Sequence, residues 1–429
     1  MKTRYLLMII SLFGCLSVLS SSCEESSPTG TPSNGTQFEH LPVYDISEFT
    51  PGKFRIYLRN NFYISSAGFD APEEFVEAQE YDYGSFIANC GLWIAGKVEG
   101  DVRANVGWWQ NNLTPEKDGV KTGLFVLNSQ DLPLKGANWP SKYGAPVDTS
   151  HNVKIYGDDM ALSVLFSDTT KTESYIAKPI KGLRVVAHIF GYQTDRIYLQ
   201  NQENIPYVLF FRYDLYNDSL APIQDAYIGF WADTDLDEIS PDSNRTGYDM
   251  LREMSYTYTP QRYTTKVDPV TDSVYTILVW ASHQTAGYTF LQSPKVNGTE
   301  LRASSHSVIR KYYYGDPDFG QTGFGTPEEI YLVLQGLSNS GRHMIDPTTG
   351  LSSKFTFTGD PVKRTGWLDT QEGTDVRSMI SVGPFDFAAG EVHTVVVGFA
   401  MAFGDDLSES LTNLKNLVYY VKIRSGYWK

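Results

Sequence analysis

Tyr207–Asp218 reads YVLFFRYDLYND. Val208, Phe210, Arg212 and Asp214 alternate with Leu209, Phe211, Tyr213 and Leu215. Successive side chains of a strand point to opposite faces, so this period of two describes a strand with one core face and one partly wet face. Outward from it, runs of the same type recur on both sides: FRIYL, GLWIAGKV, GLFVL, ALSVLFS, LRVVAHIFGY, AYIGFWAD, VYTILVWA and VHTVVVGFAMAF. They are separated by turn chemistry such as NDS, DPVTD, PTTG and AAGE. With 28 Tyr and 23 Phe the composition also suits pleated, half-buried surfaces. The expected fold is all-β, a large antiparallel β-sandwich or two packed sandwiches.

Two helices are expected to interrupt the strands. In TPEEIYLVLQGLSNSG, Thr326 can cap, Pro327 takes the first helical position and Gly336 can end the helix. In DDLSESLTNLKNLVYYVKIRSG, Asp406 and Glu409 form a capping box, and Leu407, Leu411, Leu414, Leu417, Val418 and Val421 form a stripe suited to lying on a sheet.

The start of the chain is a targeting segment. Lys2 and Arg4 precede an apolar run from Leu6 to Leu19, too short to span a membrane, and SSSC ends in Cys23. This resembles the cleavage and acylation site of bacterial lipoproteins, although Ser20 stands where that pattern prefers an aliphatic residue. Cys15, at the end of LFGC, is a rival, and ordinary signal cleavage is a third reading. The expected organisation is a signal peptide over 1–22, a flexible tether over 23–41 rich in Ser, Thr, Pro and Gly, an N-terminal β-rich region over 42–205 and a C-terminal β-sandwich region over 206–429. The acidic pair Glu24 and Glu25 resembles the export signal that takes Bacteroidota-type lipoproteins to the outer face of the outer membrane. With Cys23 acylated, Cys90 is the remaining thiol, expected to be buried within an apolar run.

The net charge of −15 is wrong for a surface that neutralises phosphates, which excludes nucleic acid as a partner. Acid is concentrated in WADTDLDEISPDSNRTGYDM, Trp231–Met250. If the strand continues past Thr234, Asp233, Asp235 and Asp237 share one face, and Pro241 and Gly247 can turn the chain so that Asp242 or Asp249 returns toward them. Oxygen ligands of this kind suit calcium rather than zinc. The stretch has two readings, a structural calcium held by these aspartates and a solvated acidic turn.

YIGFWADTDLDEISPDSNRTGYDM, AGYTFLQSP, FTFTGDPVKRTGWLD, DVRSMISVGPFDFAAGEV and the helix after AFGDD follow in this order. Together they resemble a family of uncharacterised secreted, cell-surface β-rich proteins of Bacteroidota and Ignavibacteria-like bacteria, over roughly Tyr207 to Tyr420. Members of that family often end in a type IX secretion sorting domain. Here a lipoprotein-type start is expected to take its place. The resemblance implies an extracellular address and no established activity.

Catalytic motifs are wanting: there is no G-x-S-x-G elbow, H-E-x-x-H pair, C-x-x-C pair or phosphate-binding glycine loop. Paired carboxylates for glycoside hydrolysis leave no signature in sequence. Trp108, Trp109, Tyr312, Tyr313 and Tyr314 could stack on sugar rings or serve as sheet core. The expected role is therefore structural, adhesive or ligand-binding at the cell surface, with an extracellular glycan or a surface protein as partner and the outer membrane reached through the lipid. The alternative is a polysaccharide-processing, glycoside hydrolase-like enzyme.

Overall fold

A computed structural model describes residues 46–59, 61–62, 64–69, 86–107, 113–118, 120–132, 138–167, 178–193, 205–236, 244–260, 263–267, 274–278, 283–310, 326–370 and 376–424. Sixteen strands build two antiparallel sheets of eight. In chain order they are β1 (Ile46–Phe49), β2 (Phe54–Arg59), β3 (Ile64–Phe69), β4 (Ile87–Val98), β5 (Asp101–Val106), β6 (Leu124–Asn128), β7 (Asp159–Phe166) and β8 (Leu183–Gly191). There follow β9 (Val208–Asn217), β10 (Ile223–Thr234), β11 (Arg245–Asp249), β12 (Met254–Tyr258), β13 (His283–Gln292), β14 (Ala303–Arg310), β15 (Val376–Phe387) and β16 (Val392–Gly404).

The first sheet runs β1-β2-β3-β4-β10-β15-β14, with β5 also paired to β4. The second runs β11-β12-β13-β16-β9-β8-β7-β6. The fold is all-β and antiparallel, as the alternation in β9 predicts. Both sheets take strands from either side of residue 205, so the regions 42–205 and 206–429 are interleaved in one sandwich.

The two inner faces share one core. Leu209, Phe211, Tyr213 and Leu215 of β9 lie in it, with Phe230 of β10 and Val395, Val397 and Phe399 of β16. Aromatic pairs cross between the sheets: Phe211 with Phe230 at 5.1 Å and Phe86 with Phe399 at 6.0 Å between ring centroids. Each such pair adds about 0.5–1.5 kcal/mol beyond its area burial.

Much of each outer face is covered as well, which explains the strands without alternation. Helix α1 (Pro327–Leu334) lies on the first sheet and packs Ile330, Val333 and Leu334 against Trp93, Trp231 and Met379. Gly229 of β10 permits this approach, because a Cβ there would sit 2.5 Å from Leu334. The helix starts in a full capping box between Thr326 and Glu329 and ends before Gly336, which takes φ +76°.

Helix α2 (Leu407–Ile423) covers the second sheet with Leu411, Leu414, Leu417, Val418 and Val421 buried. Its expected capping box is modified. Asp406 accepts the Glu409 N–H at 2.8 Å, but Glu409 reaches back to the N–H of Asp405 instead of Asp406. The segment 138–158 covers the other end of that face, placing Trp139, Ala145 and Val153 over β6 and β7. The face of β9 expected to be partly wet is therefore mostly enclosed: Val208 and Phe210 are core, and Asp214 is buried.

Candidate functional site

The acidic stretch departs from its expected geometry. Strand β10 ends at Thr234, so the alternation does not carry on through Asp235 and Asp237. Asp233 sits in register between Asn89 and Arg377, and the Arg377 Nε donates to its Oδ2 at 2.7 Å, with both side chains largely buried. The Asp235 N–H donates to the Phe86 carbonyl at 2.9 Å. Leu236 then turns into the inter-sheet core, and its N–H and the Thr234 carbonyl are both held by the Asn244 side chain at 3.3 Å. Asn244, fully buried, thus fastens the two ends of the stretch together.

Asp249 stands elsewhere. Strand β11 carries it roughly 13 Å beyond Arg245, at about 3.3 Å per residue. There it accepts from Arg252 at 3.1 Å and faces Lys415 at 3.7 Å. Asp233 belongs to the first sheet and Asp249 to the second, and each already faces a base. Asp237 and Asp242 lie outside the described residues, as do Cys23, Trp108, Trp109, Tyr312, Tyr313 and Tyr314. Among the described residues no group of three or more His, Cys, Asp or Glu side chains is placed to hold a metal.

Cys90 is buried in the inter-sheet core, where burial pushes its thiol far above the ordinary range. A thiol held protonated is a poor nucleophile.

A polar cluster lies inside the sandwich, beyond the residues singled out in the sequence. His306 of β14 faces inward, with its Nε2 at 3.0 Å from the Ser255 Oγ of β12 in the opposite sheet. Ser255 also bonds Ser378 of β15 at 2.9 Å, and the Tyr288 hydroxyl of β13 lies 3.0 Å from Ser378. On its other side the ring meets the Thr356 hydroxyl and carbonyl, both at 3.0 Å. Tyr248 stacks on it at 5.0 Å between centroids. Burial lowers the His306 pKa to about 3, so the ring is neutral.

A hydroxyl against an imidazole is the beginning of nucleophilic chemistry. Access is what this pair lacks. Ser255 and His306 are both 0% exposed, and the recess beside His306, bounded by Val308, Val333, Gly336 and Met344, offers about 20 Å³. That is room for roughly one water molecule. The chemistry available here is cross-linking of two sheets by hydrogen bonds. The signal for it was serine at core parity, Ser255 in MSYTY and Ser378 in VRSMIS, opposite a histidine in ASSHSVIR.

A second buried histidine lies on the outer face of the second sheet. His188 of β8 meets the Tyr156 ring edge-on at 5.2 Å, and Arg212 lies over the same ring at 4.8 Å. Burial, opposed by Asp214 and reinforced by Arg212, lowers its pKa to about 4. Arg212 is in turn held by Asp214 at 2.8 Å, and Asp214 accepts from Thr394 at 2.6 Å.

Compared with known proteins, the chain matches no family model and no curated protein. Among solved structures it is similar to a bacterial glucoamylase complexed with acarbose, at 8% identity and a TM-score of 0.36, over 94% of this chain and 38% of that one. The chain thus spans less than two fifths of the length of that protein, and a likeness at this level carries no argument about activity.

Proposed function

We propose that this protein is a lipoprotein of the outer membrane, held at the cell surface through Cys23, with a structural, adhesive or ligand-binding role toward an extracellular glycan or a surface protein. The observation that supports a non-catalytic role is the enclosure of the Ser255–His306 pair, whose recess admits about one water and no sugar ring or acyl group. The carboxylates point the same way. Asp233 and Asp249 are drawn to Arg377, Arg252 and Lys415 rather than opposed across a cleft at the separation that glycoside hydrolysis needs. The lipid anchor rests on the resemblance of SSSC to an acylation site.

The test of the role is an array of bacterial and plant glycans probed with the mature protein, with product analysis of every ligand retained. Retention without cleavage is expected. Release of shorter saccharides, lost on substitution of a single carboxylate, would make the polysaccharide-processing alternative the better reading. The anchor is tested separately: Cys23→Ala should free the protein from membranes or block its maturation, whereas Cys15→Ala should leave it membrane-bound. An unacylated mature protein in an intact-mass measurement would refute the anchor.

A further inference from the structure

One surface of the second sheet sets exposed apolar side chains beside basic ones. The turn between β11 and β12 carries Met250 and Leu251 at its tip, 51% and 83% exposed. Asp249 Oδ1 accepts the N–H groups of Leu251 and Arg252, both at 3.0 Å, so the tip is a braced turn. It is fastened to α2 at two points. The Arg252 Nε donates to the Lys415 carbonyl at 3.0 Å, and the Lys422 Nζ donates to the Arg252 carbonyl at 2.7 Å.

Lys415, Tyr419 and Lys422 are spaced by four and three residues and so share one face of the helix, with Ile423 at its border. Tyr419 and Ile423, each 58% exposed, therefore flank the turn that presents Leu251. The charge here has the opposite sign to the whole. Arg252, Arg302, Lys415 and Lys422 pair with Asp249 and Glu253: Arg252 to Asp249 at 3.1 Å, Lys415 to Asp249 at 3.7 Å, Lys422 to Glu253 at 3.7 Å, and Arg302 directly on Glu253. Four bases against two acids leave a local excess of +2 on a chain of −15.

We propose that this turn-and-helix face rests on an anionic lipid bilayer, with Leu251 and Met250 entering the headgroup boundary, Arg302, the most exposed of the four bases, meeting lipid charge directly, and the partly buried Arg252, Lys415 and Lys422 adding their field behind it. Exposed apolar side chains ringed by Lys and Arg are the elements of interfacial binding, and an anionic bilayer complements the sign of this face and of no other property of the chain's net charge. The proposal rests on the lipid-anchor reading only in that the anchor keeps a membrane within reach.

The test uses the full chain carrying Leu251→Cys, labelled with an environment-sensitive fluorophore and reconstituted into phosphatidylglycerol-containing vesicles with a lipid-borne quencher. Burial of Cys90 and acylation of Cys23 keep the native label at position 251. The expected result is quenching at position 251 and none at Ser408→Cys, exposed at the far end of α2. Arg302→Gln and Lys415→Gln should each lower the quenched fraction about fivefold, the fold-change equivalent to about 1 kcal/mol per base near an anionic surface. If the chain floats with the vesicles and the label at 251 behaves as the one at 408 does, the face is overturned and the anchor stands. If flotation fails with Cys23 intact, the anchor reading falls. The labelled chain, carrying Cys23→Ser as well and mixed with preformed anionic vesicles, then decides the face alone, quenching at 251 sustaining it and silence overturning it.

Discussion

Lowering the pH from 7 to 5 should cost this protein about 4 kcal/mol of stability through two fully buried histidines, with a further loss in the same direction from His393, whose pKa burial also lowers. His188 and His306 are both 0% exposed, and burial holds their pKa values at about 4 and about 3 against 6.5 for the free side chain. In the unfolded chain each ring takes up a proton as pH falls through 6.5, while in the native chain neither does until pH approaches 4. The unfolded state binds more protons over this interval, so stability falls as pH falls. At pH 5 the unfolded rings lie 1.5 units below 6.5, which at about 1.36 kcal/mol per unit is about 2 kcal/mol for each histidine. Below pH 4 the native rings begin to titrate and this contribution levels off. Carboxylates whose pKa is lowered, such as Asp148, Asp346 and Asp360, add their own loss only at more acid pH. The assay is urea unfolding followed by tryptophan fluorescence between pH 7 and pH 5, with Trp93 and Trp231 as buried reporters. His306→Asn should remove about half of the contribution of these two rings whatever it does to stability at pH 7. Equal unfolding free energies at pH 7 and pH 5, or an unchanged slope in both His306→Asn and His188→Asn, would refute the reasoning.

Three further outcomes are expected. Cys90 should react with a maleimide only after denaturation, because the thiol lies in the inter-sheet core; rapid modification of the native protein, followed by mass spectrometry, would contradict that placement. Arg377→Leu should destabilise the fold by about 3–5 kcal/mol, since it strips the base from the buried Asp233 carboxylate, and Asp233→Asn in the same chain should recover part of the loss; a double-mutant cycle with no coupling would count against the ion pair. Metal-stripped protein should melt at the same temperature with calcium and with chelator, because Arg377, Arg252 and Lys415 already face Asp233 and Asp249; a calcium-dependent rise that Asp235→Ala abolishes would instead favour the calcium reading of the acidic stretch.

The fold class was legible because a strand's burial pattern records what lies on each side of it. In β2 the pattern is strict, with Phe54, Ile56 and Leu58 inward and Arg55, Tyr57 and Arg59 exposed, the record of a sheet covered on one face. In β7 every residue is buried, so periodicity there says only that both faces are covered and not by what. Both helices were legible from their caps and stripes, which are local. Strand order was not, since β10 pairs with β15 across some 150 positions and no local rule states that pairing. The geometry at the start of the acidic stretch was hidden for the same reason. Alternation through Asp233, Asp235 and Asp237 assumed that the strand continues, whereas Leu236 gains more by entering the core than the chain gains by extending the ladder. Burying a leucine is worth about 1.5–3 kcal/mol, more than a typical net hydrogen bond. The His306 cluster was hidden because its members come from four strands in two sheets.

The distribution of charge connects the fold to the proposed membrane address. Beneath the surface of the fold, polar groups are turned on one another: His306 on Ser255 between the sheets, Asp233 on Arg377, and Asp214 on Arg212 on the covered outer face of the second sheet. None of these pairs is available to a partner, so recognition falls to the outer surfaces. A chain of −15 is repelled by an anionic bilayer wherever its acids face it, and at physiological salt that repulsion fades over about 8 Å. A face with an excess of two bases and a protruding leucine is the exception that such a field selects. A tether alone would let the body tumble above the membrane. Repulsion on most sides and attraction on one would give it an orientation, and would leave the uncovered side of the first sheet, with Arg55, Tyr57 and Arg59, on a surface other than the lipid-facing one only if the two lie apart. Labels at Tyr57 and Leu251 in the same vesicles measure that: opposite quenching means a body oriented with β2 outward, and equal quenching means that both surfaces meet the lipid.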